Sequence, residues 1–158
     1  MQKITTCLGF DDQCEEAVTL YTSLFKNSRI LSTQRYGAAG PGPEGSVMAM
    51  TFELDGQRFL ALNGGPSFKF TEGMSLSVDC ATQAEVDELW AGLTADGGKP
   101  GPCGWLTDRF GVSWQIVPSV LPRVLGGSDP KGAARAMQAM LKMSKLDAGA
   151  LHRAYDGK

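Results

Sequence analysis

The sequence predicts an α+β domain built from two βαβββ modules and followed by a helical C-terminal extension. Three observations predict it. A strand, a capped amphipathic helix and further strands follow one another in that order, and then the order begins again. The two runs lie about seventy residues apart, a period that marks duplication. Beyond Pro118 the extended patterns stop and helical ones take over.

Each element follows from local pattern. Ile4 to Phe10 reads as a strand. Asp12-Gln13-Cys14-Glu15 has capping-box form, and Ala17, Leu20, Tyr21, Leu24 and Phe25 follow at helical spacing. Ser28 to Tyr36 reads as a second strand, and Gly37 to Gly45 as a glycine- and proline-rich loop. Val47 to Leu54 and Arg58 to Leu62 are strands joined by Asp55-Gly56, a strong hairpin signal. Ser75 to Val78 then opens the second module. Thr82-Gln83-Ala84-Glu85 is its capping box, and Val86, Leu89, Trp90 and Leu93 form its helical face. Gly97-Gly98 ends that helix, and extended pieces follow at Cys103 to Thr107 and Val112 to Val117. Gln13 and Glu15 match Gln83 and Glu85, whereas Leu20, Tyr21 and Leu24 match Leu89, Trp90 and Leu93 one residue out of step. In the extension, Ser128-Asp129-Pro130 reads as a cap with proline in the first turn. Ala133, Ala136, Met137, Met140 and Leu141 form a stripe, and Asp147 caps a last helix through Tyr155.

Bulk properties exclude several classes. A chain of 158 residues, 42% apolar and 20% charged, fits one globular domain. A net charge of -2 gives no electrostatic reason to expect nucleic acid or an anionic membrane as partner. The apolar runs are strand-sized, too short to span a bilayer. Met1-Gln2-Lys3-Ile4 lacks a signal peptide's apolar stretch, which points to the cytoplasm and to free thiols at Cys7, Cys14, Cys80 and Cys103. Those cysteines show no CxxC spacing and His152 is the only histidine, so no zinc site and no cofactor is expected.

Some segments are more specific. They are Ala61-Leu62-Asn63-Gly64-Gly65-Pro66 with Phe68 and Phe70, and the run Cys103-Gly104-Trp105-Leu106, Asp108-Arg109-Phe110-Gly111, Val112-Ser113-Trp114-Gln115-Ile116-Val117-Pro118. With Phe10-Asp11 and Glu15-Glu16-Ala17, they resemble the PhnB-like branch of the vicinal-oxygen-chelate (glyoxalase, bleomycin-resistance and dioxygenase) superfamily. This group also carries the label 3-demethylubiquinone-9 3-methyltransferase. The resemblance runs from about Ile4 to Pro118 and implies curled mixed sheets of glyoxalase-like form. It implies a domain over 1–118, with modules near 1–66 and 73–118. Residues 119–158 would then pack on that domain or on a dimer partner. Active members hold a divalent metal through the first and last strands of each module. Those positions fall near Thr5, Leu60, Ser75 and Gln115, and none is a histidine or carboxylate. No metal is therefore expected. The chain also departs from the family pattern at Gly9, where tryptophan is frequent, and at Ser67, where histidine is.

The candidate ligand-binding residues are Thr5, Asn63, Phe68, Ser75, Trp105, Arg109 and Gln115. Thr5, Ser75 and Gln115 follow from the superfamily pattern. Asn63 could turn its amide inward, although the glycines beside it read first as a turn. Phe68 alternates with Phe70 as core or cavity wall. Arg109 could anchor an anionic group, although Asp108-Arg109-Phe110-Gly111 reads more simply as the turn into the last strand. Trp114 should face the helices if Gln115 faces the cavity, since neighbours on a strand point opposite ways. Cys103 and His152 read as structural. Three functions follow: a homodimeric small-molecule-binding protein without metal; an enzyme of the superfamily with an unidentified substrate, metal-dependent or acting through Cys103, Asp108 or Arg109; or an assembly protein using the methionine stripe. The methyltransferase label finds no support in the residues. Gly37-Ala38-Ala39-Gly40-Pro41-Gly42 leads into a strand, not into the helix that cofactor-binding turns of doubly wound sheets require.

Overall fold

The computed structural model describes residues 2–158. The chain divides into two units, the first ending at Phe70 and the second running Thr71–Lys158.

The first unit contains β1 (Thr6–Phe10), α1 (Cys14–Leu24), β2 (Arg29–Arg35), β3 (Val47–Leu54) and β4 (Gln57–Asn63). The sheet order is β1-β4-β3-β2, with β1 parallel to β4 and the other pairs antiparallel. Alternation sorts the side chains: Leu8, Phe10, Met50, Phe52, Phe59 and Ala61 are buried, together with Cys14, Ala17, Val18 and Tyr21 of α1. Phe52 and Phe59 are partners in register and stack with centroids 5.4 Å apart. Asp55 and Gly56 both take positive φ, 47° and 77°, as a two-residue type I′ hairpin turn demands.

The start of α1 differs from expectation. Gln13, not Asp12, is the N-cap, and its side chain makes no capping bond. The Cys14 N–H instead donates to Asn63 Oδ1 at 2.9 Å. Parallel pairing explains this. Phe10 and Asn63 lie side by side, so the end of β4 arrives where the helix begins.

The second unit repeats the plan. It holds β5 (Leu76–Cys80), α2 (Gln83–Thr94), β6 (Lys99–Pro100), β7 (Trp105–Thr107) and β8 (Ser113–Pro118), ordered β5-β8-β7-β6 with β5 parallel to β8. The duplication read in the sequence is thus a duplication of topology, as two four-stranded mixed sheets. Here the expected cap forms: Glu85 N–H donates to Thr82 Oγ1 at 3.2 Å, while Glu85 Oε2 accepts at 2.9 Å from the N–H of Ala81, one residue before the cap. The helix ends at Thr94, ahead of the glycine pair, and a 3-10 turn over Ala95–Gly97 carries Asp96 at φ 54°. Strand β6 has only two residues, too few for a periodic signal.

Three helices complete this unit: α3 (Val120–Leu125), α4 (Pro130–Leu141) and α5 (Ala148–Asp156). The first was not expected. Asp129 and Asp147 cap the other two, accepting from Lys131 N–H and Ala150 N–H. Val124, Ala136, Leu146 and Leu151 form a small core of their own, with Met140, Met143 and Tyr155 packed on it. The extension is tied to the second sheet. Cys103 and Gly104 donate their N–H groups to the Met143 and Ser144 carbonyls, each at 2.8 Å. Gln83 spans the α4–α5 loop, donating to the Leu146 carbonyl and accepting from Ala148 N–H.

Candidate functional site

The geometry of β8 decides which side chains the second sheet presents. Trp114 and Ile116 are buried, and Ser113 and Gln115 point the other way. The Trp114 indole N–H donates to Asp108 Oδ2 at 2.9 Å, while Asp108 Oδ1 accepts from Phe110 N–H at 2.9 Å and Val112 N–H at 3.0 Å. The Asp108–Gly111 turn is therefore wound around a buried carboxylate, the simpler of its two readings.

On the opposite face, register builds rows across the strands. Lys99 pairs with Thr107, and Thr107 with Ser113. Next to this row, Trp105 pairs with Gln115, and Gln115 with Ser77. Gln115 Nε2 donates to Ser75 Oγ at 2.9 Å, so those two candidates meet. Glu72, Lys99, Pro102, Trp105, Thr107 and Ser113 line an open cleft of about 420 Å³. Ser113 is only 3% exposed although it lines the cleft, so its hydroxyl lies at the floor. Trp105 is the sequence-derived candidate that reaches this cleft. Lys99, Thr107 and Ser113 were missed, because their shared face depends on the pairing of a two-residue strand.

Arg109 does not supply the cation of the cleft. Its guanidinium lies 3.6 Å from Asp96 Oδ2, beside the turn after α2, and 4.8 Å from the centroid of the Phe110 ring. Cys103 takes φ 58° ahead of Gly104 at φ 84°, and its N–H holds the extension.

Thr5, Asn63 and Phe68 belong to the first unit. The Asn63 carboxamide is committed at both ends, to Cys14 N–H and, through Nδ2, to the Val47 carbonyl at 3.1 Å. Phe68 lies across two glycines. A Cβ at Gly9 would fall 2.9 Å from Phe68 Cδ1, and one at Gly64 would collide with the same ring. The ring thus occupies the space a β1 side chain would need, and it remains 48% exposed. Phe70 instead packs edge-on against Phe10, with centroids 5.2 Å apart.

Buried thiols are held neutral. Burial, reinforced by the charge of Glu15, pushes Cys14 up to about 11, and burial with the charges of Glu85 and Asp79 does the same for Cys80. Among the described residues, no group of three or more His, Cys, Asp or Glu side chains is placed to hold a metal. The side chains that the resemblance matches to metal positions, Thr5 and Leu60 in the first unit and Ser75 and Gln115 in the second, include no imidazole, thiolate or carboxylate.

The model of the 3-demethylubiquinone-9 3-methyltransferase family matches residues 2–117. This chain belongs to that family. The PhnB protein from Bacillus cereus, described under the same methyltransferase name, is 43% identical, with a TM-score of 0.68 over 74% of this chain and 99% of its own. Protein PA1353 from Pseudomonas aeruginosa is 22% identical, with a TM-score of 0.62 over 75% of this chain and 98% of its own. A variant of the fosfomycin resistance protein FosX from Listeria monocytogenes, in complex with Mn(II) and 1S,2S-dihydroxypropylphosphonic acid, is 15% identical. Its TM-score is 0.53, over 73% of this chain and 92% of its own. The last two likenesses concern fold alone. The fold is shared with FosX, and the family match ends before α3. No curated protein matches the chain.

Proposed function

We propose that this family member is a cytoplasmic, homodimeric small-molecule-binding protein that works without a divalent metal. Its ligand would lie on the open face of the second sheet. One observation carries the reading: a cleft of ligand size floored by a buried hydroxyl, Ser113, beside a half-buried indole, Trp105. Apolar surface with a few fixed polar groups is what small-molecule sites provide. The Ser75–Gln115 pair adds a neutral polar group on the same face.

No methyl transfer is assigned. The glycine-rich loop lies between β2 and β3, with a strand after it, and offers no helix N-terminus to a cofactor. No metal-free chemistry through Asp108 or Arg109 is assigned, since the Asp108 carboxylate holds the turn between β7 and β8 and the Arg109 guanidinium lies against Asp96 after α2.

Thermal-shift screening of metabolites against the wild type and Trp105→Ala tests the site. Hits should weaken by about tenfold in the variant, the loss expected for an aromatic contact. Hits that survive Trp105→Ala unchanged would place the ligand elsewhere. Elemental analysis of purified protein should find far less than one transition metal per chain. A stoichiometric metal that disappears when Ser75 and Gln115 are both replaced would overturn the metal-free reading.

A further inference from the structure

We propose that the cleft on the second sheet selects small flat monocarboxylates; this rests on the binding reading above. The first row across the sheet, Lys99–Thr107–Ser113, sets an ammonium in line with two hydroxyls. Every member can donate a hydrogen bond, and the Lys99 end carries the positive charge, so the row suits an oxygen anion. The adjacent position in the cleft is Trp105, whose indole offers a flat apolar surface to the body of the same ligand. Glu72 also lines the cleft. The Glu72 carboxylate opposes each negative charge a ligand carries, so it penalises a phosphate dianion about twice as much as a singly charged carboxylate, which contact with Lys99 can offset. The volume, about 420 Å³, lies near the lower end of the range for small-molecule sites, so the ligand is small.

The test uses the full chain and two matched probes, phenylacetate and its neutral isostere phenylacetamide, titrated at low salt and followed in the amide NMR spectrum. Phenylacetate should move the signals of Thr107 and Ser113 and bind about fivefold or more tightly than phenylacetamide, the range expected for a partly exposed charge pair. Lys99 is exposed, so Lys99→Met should keep the wild-type melting temperature while abolishing the preference for the acid. Glu72→Gln should strengthen phenylacetate binding by about twofold, because a repelling charge is removed. If both probes move these signals with equal affinity, or if Lys99→Met keeps the preference, the carboxylate assignment is wrong and the binding site stands. If neither probe moves them at any concentration, the site itself is wrong.

Discussion

Asp108 is 3% exposed, yet its carboxylate receives the Phe110 and Val112 amides and the Trp114 indole. Such a group holds the turn by accepting through both of its oxygens. Asp108→Asn turns one acceptor oxygen into a donor that must face another N–H, and should cost about 2–4 kcal/mol of stability. Chemical denaturation checks this; a loss below about 1 kcal/mol would mean the turn holds itself. Gly9 answers to a steric rule. Gly9→Ala places a methyl against the Phe68 ring, so Phe68 must swing out, and the ring's solvent exposure should rise. Pairing Gly9→Ala with Phe68→Ala should cancel most of the cost, a coupling that a double-mutant cycle reads directly. Cys14 and Cys80 link stability to pH. Their folded values lie near 11 against an ordinary 9.0, so the unfolded chain releases these protons first. The stabilisation is complete below about pH 9 and is lost as pH rises towards about 11. The stability gap between wild type and a Cys14→Ala, Cys80→Ala variant should shift with that sign, measured by urea melts at pH 8 and pH 10.5.

At the scale of elements, the two modules begin their helices by different means. α2 carries its cap in its own sequence, at Thr82 and Glu85, whereas α1 borrows one from β4. Asn63→Ala removes the acceptor for Cys14 N–H and the donor to the Val47 carbonyl together. The expected cost is about 1–2 kcal/mol, or roughly 2–8 °C in melting temperature. A variant with unchanged melting but weakened ligand hits would instead assign Asn63 to binding. The Cys103-Gly104 pair shows a sequence motif serving tertiary structure. A Cβ at Gly104 would fall 2.8 Å from Leu146 Cδ1 and 2.9 Å from the Ile116 carbonyl oxygen, so glycine lets the extension approach the sheet. The motif was legible; its purpose was not, because the atoms it makes room for lie tens of residues away.

For the whole molecule, the methionine stripe divides in two. Ala136 and Met140 pack into the chain's own small core, while Met137 and Leu141 stay 40% and 61% exposed. The inward half explains why the extension needs no partner to form a core. The outward half is the surface a homodimer would cover. Light scattering of the full chain should give a dimer at micromolar concentration, and Met137→Lys with Leu141→Lys should shift it to monomer without unfolding it. A dimer that survives both substitutions would assign the interface to another surface. Among the described residues no helix is long and apolar enough to cross a membrane, in line with the strand-sized apolar runs of the sequence.

Residue patterns by themselves determined the element order apart from β6 and α3, the duplication, the hairpin at Asp55-Gly56, the caps at Thr82, Asp129 and Asp147, and the family. Each of these is local: a period, a turn residue or a contiguous motif states it within a few positions. Tertiary structure decided the rest. Strand pairing made Asn63 the cap of α1 and brought Lys99, Thr107 and Ser113 into one row. It also turned Arg109 towards Asp96 and laid Phe68 over Gly9. These relations join residues distant in the chain, and their geometry is set by sheet register and by the space left above glycines, neither of which has a local signature in the sequence.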